Sequence, residues 1–113
     1  MITAEATVSG STLRLSCHGV YDLASEAGWE CGKVVEDLIR RHLDQTDPPI
    51  TEIVIDFTEV DYQHGDGPAW SVLLAVKQGV PVTYHVREQT GAPLLRLLAA
   101  THLNRIINVV SVP

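Results

Sequence analysis

The sequence predicts an α/β domain built on one mixed β-sheet flanked by helices, with elements in the order β-β-α-β-α-β-α-β. Three observations predict it. Near the start, Ser9-Gly10-Ser11 turns one short strand back on an alternating one, which makes an antiparallel hairpin. In the middle, the β-branched run Ile53-Val54-Ile55-Asp56-Phe57-Thr58 has the apolar continuity of an interior strand. From there on, helical and two-residue periodicities alternate, so the later strands are joined by crossovers and run parallel.

The 113 residues predict a single domain spanning 1–113. A chain of this length buries roughly two-thirds of the surface it exposes when unfolded, enough for a true core. Apolar residues make up 45% and charged residues 19%, which is the composition of a globular chain. The net charge of −6 disfavours nonspecific binding to nucleic acid or anionic lipid, and Arg40-Arg41, the longest basic run, sits among acids. Met1-Ile2-Thr3-Ala4-Glu5 lacks the basic start and apolar core of a signal peptide, and no apolar segment approaches the roughly 20 residues that cross a bilayer. A cytoplasmic location without direct membrane insertion is therefore expected. Cys17 and Cys31 lack CxxC spacing and are expected to be cytosolic thiols.

The first strand is expected over 4–8 and the second over Thr12 to Val20. Leu13, Leu15 and Cys17 share one face of the second strand, and Arg14, Ser16 and His18 share the other. Cys17 is thus a small buried hydrophobe. Gly19-Val20-Tyr21-Asp22 is expected to turn into a helix near 25–43, with Asp22 or Ser25 as N-cap. Val34, Val35, Leu38 and Leu43 form its apolar stripe. A loop closes on Pro48-Pro49, and the interior strand follows, alternating in polarity through Glu59-Val60-Asp61-Tyr62. The second helix is expected near 68–78, ending at Gly79 as its C′ residue. Ala69, Val72, Leu73 and Val76 have core spacing on it. Val80, Val82, Tyr84 and Val86 alternate through the next strand. Thr90-Gly91-Ala92-Pro93 starts a third helix, expected to end near residue 101, with Leu94, Leu97 and Leu98 inward, and a last strand runs from Ile106 to Val112.

Function is expected at the corner between the interior strand and the second helix. Gln63-His64-Gly65-Asp66-Gly67-Pro68 packs two glycines and a proline into a turn that leads into Ala69-Trp70-Ser71-Val72-Leu73-Leu74. Helix starts expose backbone N–H groups and favour negative charge. Asp66 has the chemistry of an N-cap, worth about 1 kcal/mol, and Pro68 sits where no N–H is needed. Trp70 and Leu74, four apart on a face neighbouring the core stripe, are expected to be partly exposed and to mark a contact surface.

Two segments resemble the STAS domains of anti-sigma factor antagonists. Gly19-Val20-Tyr21-Asp22 is similar to the family's Gly-x-x-Asp turn, and Val54-Ile55-Asp56-Phe57-Thr58-Glu59-Val60-Asp61-Tyr62 to its hydrophobic strand end. The element order matches over nearly the whole chain. In the family, Asp-Ser-Ser-Gly follows and its second Ser is often phosphorylated. With Gly67 aligned to that glycine, His64 stands at the Asp, Gly65 at the first Ser and Asp66 at the phosphorylation site. The resemblance implies a non-catalytic regulatory module, active in signal transduction, that binds a protein partner through Gln63, His64, Gly65, Asp66, Gly67, Trp70 and Leu74. It implies an anti-sigma kinase-like protein, a sensor complex or a transporter subunit as partner, and it is compatible with a homo-oligomer. Two alternatives stand beside it: a small-molecule or nucleotide-binding STAS module, and the STAS subunit of a bacterial lipid-transport ATPase.

Other chemistry has less support in the residues. His64 and Asp66 are too few for a metal site, and His18, His42, His85 and His102 show no ligand spacing, so no metal or cofactor is expected. No nucleophile elbow and no Gly-rich phosphate loop with Lys is present, so no enzyme activity is expected. Asp56 is expected to satisfy backbone groups at a strand end. Thr58 and Ser71 are further hydroxyls open to phosphorylation.

Overall fold

A computed structural model of the chain describes residues 2–22, 26–44, 49–64 and 75–113. Its sheet contains β1 (Ile2–Ser9), β2 (Thr12–Asp22), β3 (Glu52–His64), β4 (Val82–Arg87) and β5 (Asn108–Val112), lying side by side in that order. β1 and β2 are antiparallel, and the later neighbours are parallel. Helix α1 (Glu26–Leu43) joins β2 to β3, and α2 (Glu88–Ala100) with a 3-10 turn (Leu103–Arg105) joins β4 to β5. Residues 75–77, between β3 and β4, are helical. The α/β class, the mixed sheet and the element order agree with the sequence prediction.

Local chemistry sets each junction. Gly10 holds φ +60° at the first central position of the two-residue hairpin loop, a value that favours glycine, and Ser9 pairs with Thr12. After residues 75–77 the chain closes a Schellman motif. The Val80 N–H donates to Ala75 O (2.9 Å) and the Gly79 N–H to Val76 O (3.0 Å), with Gly79 at φ +74°. Gly79 is therefore the C′ residue the sequence predicts.

The strand order explains why one face of the sheet is covered. Strands β2 to β5 are added one after another in the same direction. Right-handed crossovers then place their helices on the same side. The core lies on that side. Leu13, Leu15 and Cys17 from β2 meet Ile53, Ile55 and Phe57 from β3 and Val82, Tyr84 and Val86 from β4, under Val35 and Ile39 of α1 and Leu94 and Leu98 of α2. Phe57 and Tyr84 pack edge to face, ring centroids 5.4 Å apart. The other face carries Arg14, Ser16, His18, Val54, Asp56, Thr83 and His85, all half-buried or exposed.

Several expectations are corrected. β3 is interior, as predicted, but only one of its faces is core; Val54 and Asp56 stand on the open side. Gly19-Val20-Tyr21-Asp22 continues β2 rather than turning: Gly19 takes φ +116° inside the strand, and Asp22 is its last residue, with residues 23–25 before α1 outside the described ones. Gln63 and His64 are likewise strand. Among the α1 residues whose burial is described, Val35 and Ile39 are buried, with Val34, Leu38 and Leu43 half-buried beside them. α2 starts at Glu88, directly after β4, so Pro93 lies inside it. The carbonyl that loses its partner there belongs to Gln89, which is exposed to water. β5 starts at Asn108 because Leu103–Arg105 and the turn after it use the preceding residues.

Candidate functional site

The strands of the sheet end at different heights. β3 pairs with β4 only as far as Phe57↔Val86, and β1 pairs with β2 only as far as Ile2↔Gly19. β2 and β3 continue together to Asp22↔His64. Val20 to Asp22 and Asp61 to His64 thus form a two-stranded ribbon beyond the main sheet, at the carboxyl ends of both strands. Val60 and Tyr62 are buried at its base, while Asp61 and Val20 are exposed.

A bulge sets the ribbon. Ser16 pairs with Asp56 and His18 with Glu59, so β3 spends one residue more than β2 over this step. The buried positions shift accordingly, from Ile53, Ile55 and Phe57 to Val60 and Tyr62. Asp56 holds the extra residue in place. Its Oδ1 accepts the Thr58 N–H (2.9 Å) and the Thr58 hydroxyl (2.6 Å). Its Oδ2 accepts Arg14 Nη2 (2.9 Å) from β2. On the other side, the Arg87 side chain takes over where β4 stops. Its Nε donates to Thr58 O (3.1 Å) and its Nη1 to Pro113 O (3.2 Å). One arginine thereby ties the bulge to the end of β5.

The electrostatics follow from these contacts. Partial burial pushes the Asp56 carboxyl up, but the hydrogen bonds from Thr58 and the Arg14 guanidinium outweigh it and hold the group below its ordinary 3.8. Burial pushes the Cys17 thiol up to about 12, with a further push from the Asp56 charge. Cys17 is free and buried, hence protonated and unreactive at neutral pH, as its place on the Leu face predicts. Asp56 does satisfy backbone at a bend in its strand.

Of the sequence-predicted site residues, Gln63 and His64 end the ribbon, with His64 opposite Asp22. Gly65, Asp66, Gly67, Trp70 and Leu74 lie outside the described residues, as do Ser25, Ala69, Ser71, Val72 and Leu73. Thr58 is half-buried and donates to Asp56. Among the described residues, no group of three or more His, Cys, Asp or Glu side chains is placed to hold a metal, and no helix is long and apolar enough to cross a membrane. Sequence reasoning missed Arg14 and Arg87. The signal for Arg14 was a cation on the polar face of β2 and a carboxylate on the polar face of β3, which meet once the register is known.

No protein-family model matches the sequence, and no curated protein matches it either. Solved structures do. An anti-sigma factor antagonist from Mycobacterium paratuberculosis superposes with a TM-score of 0.64 at 14% identity, over 97% of this chain and 86% of that one. An uncharacterised DUF3478-family protein with a SpoIIAA-like fold, from Shewanella loihica PV-4, superposes with a TM-score of 0.51 at 20% identity, over 98% of this chain and 85% of that one. The chain thus has a SpoIIAA-like fold, the fold that the resemblance to STAS domains implies.

Proposed function

We propose that the chain is a non-catalytic regulatory module that binds a protein partner through the corner at the tip of the β2–β3 ribbon. Its recognition residues are Gln63 to Gly67, Trp70 and Leu74. The observation that carries the reading is the ribbon itself. It sets Gly19–Asp22 beside Tyr62, where the second STAS-like segment ends, and beside the Gln63–His64 that follow, at one end of a fold shared with an anti-sigma factor antagonist. The topology favours a protein over a small molecule or nucleotide. Ligand crevices in open parallel sheets form where the strand order reverses, and β2 to β5 follow one another without reversal.

Asp66 stands at the position of the family's phosphorylated serine and carries one permanent negative charge. A phosphoserine carries about −1.5 to −2 and three acceptor oxygens. The module is therefore locked: it binds a partner that prefers a negative corner, in the cytoplasm, and no phosphatase resets it. Asp66→Ser tests this, because serine caps a helix about as well as aspartate. The thermal midpoint should hold while retention of partners from a lysate of the source cell changes, and Asp66→Asn should behave alike. Trp70→Ala should release the same partners. Unchanged retention by all three variants would move the recognition surface elsewhere.

A further inference from the structure

We propose that β5 is a self-association edge, through which two copies of this chain pair their sheets about a two-fold axis at Val110. β5 is the last strand of the sheet, and no described strand lies beyond it. Its outer edge therefore presents unpaired backbone N–H and C=O groups, a template for another strand. Its sequence, Asn108-Val109-Val110-Ser111-Val112, carries no charge and no proline, the usual devices that keep edges apart. Apolar surface gathers beside it: Ile106 is 59% exposed and Val110 42%.

The strand is held ready. Leu103 and Ile107 anchor its approach in the core, and Val109 packs against the core from the strand itself. Ser111 Oγ donates to Glu88 at 3.4 Å, and Arg87 holds Pro113 O at 3.2 Å. An antiparallel match about Val110 pairs all five residues with their copies. It sets Val110 against Val110 and Asn108 against Val112 on the open face, and keeps the helices of both copies on one side.

A second copy fits this edge better than the other one. Pairing β1 through its middle brings two exposed Glu5 carboxylates together, and like charges directly opposite oppose pairing. β5 has no such conflict. Its length of five residues and the charge of −6 on each copy keep the association weak and reversible. β4 separates this edge from the β2–β3 pair that carries the ribbon.

Sedimentation equilibrium of the whole chain, from micromolar to millimolar concentration, tests the proposal. Wild type should show a monomer–dimer equilibrium that tightens as salt screens the like-charged copies. Val110→Lys should weaken it about tenfold or more, because it sets two ammonium groups against each other. Val110→Asp should do the same. An equimolar mixture of the two variants should regain the dimer, since Lys then faces Asp across the axis. Circular dichroism confirms that each variant folds, and regained association would itself exclude misfolding as the cause of the loss. A wild type that stays monomeric throughout, a mixture that fails to re-associate, or a dimer lost with Glu5→Lys but kept with Val110→Lys would each overturn the proposal.

Discussion

Replacing Asp56 should unlock the β3 bulge, and the contacts set the size of the effect. The carboxylate accepts three hydrogen bonds: the Thr58 N–H, the Thr58 hydroxyl and Arg14. The bond from the Thr58 N–H is charge-assisted and partly buried, a class worth about 1.5–3 kcal/mol. The Arg14 pair contributes less. Arg14 is 47% exposed, and pairs in water contribute about 0–1 kcal/mol. Asp56→Ala should therefore cost about 2–3 kcal/mol, since it leaves the Thr58 N–H without its partner. Asp56→Asn keeps a carbonyl oxygen for that N–H and should cost about 1 kcal/mol. Arg14→Ala should cost under about 1 kcal/mol.

Urea unfolding followed by far-UV circular dichroism measures these differences, and acidity adds a second check. The Asp56 carboxyl is harder to protonate folded than unfolded. Its contribution is thus fully present above its ordinary value of 3.8 and is lost as pH falls through the lower folded value. Wild type and Asp56→Asn should differ at neutral pH and converge in acid. If Arg14→Ala cost as much as Asp56→Ala while Thr58→Val cost nothing, the salt bridge and not the bulge lock would be the stabilising element.

Three further outcomes are expected. A Cβ added at Gly91 runs into Cγ1 of the buried Val86, so Gly91→Ala should destabilise by about 1–3 kcal/mol, read as a lower urea midpoint. Cys17 should react with a thiol reagent at mildly alkaline pH only after denaturation. Because burial raises its folded pKa to about 12, its share of stability is full below the unfolded thiol value and should fall as pH rises toward 12. Arg87→Ala should leave the Thr58 and Pro113 carbonyls without that donor, cost about 1–2 kcal/mol and speed amide hydrogen exchange in β5.

What the sequence discloses here depends on how local the cause is. The Ile53 to Phe57 run, Gly79 at a helix end and Cys17 on the Leu face each carry their cause within a few residues, and each stands where the pattern puts it. The bulge at Asp56 is harder to see, because the extra residue is defined only against β2, forty residues earlier in the chain. Gly19 misleads for a related reason. A glycine followed by Asp22 has the composition of a turn, yet the pairing with β3 keeps the segment extended and absorbs the positive φ. At α2, Pro93 suggests a helix start, but an exposed Gln89 carbonyl lets the helix begin a turn earlier. Of the candidate site, the ribbon that leads to the corner was legible only as motifs; that the motifs adjoin is a tertiary fact.

The parallel pairing of β2 with β3 also governs how the chain acquires its structure in time. The hairpin of β1 and β2 closes over two residues and can form within about 1–10 μs. Thr12 must then find Glu52, forty residues away, before the sheet gains its centre. That search carries the entropy of closing a long loop, so sheet assembly is the slow event. Until β3 arrives, Leu13, Leu15 and Cys17 stand open to solvent along an unpaired edge. A nascent chain emerging from the ribosome exposes that edge until the residues through β3 have been made, which is the interval when a chaperone would have something to hold.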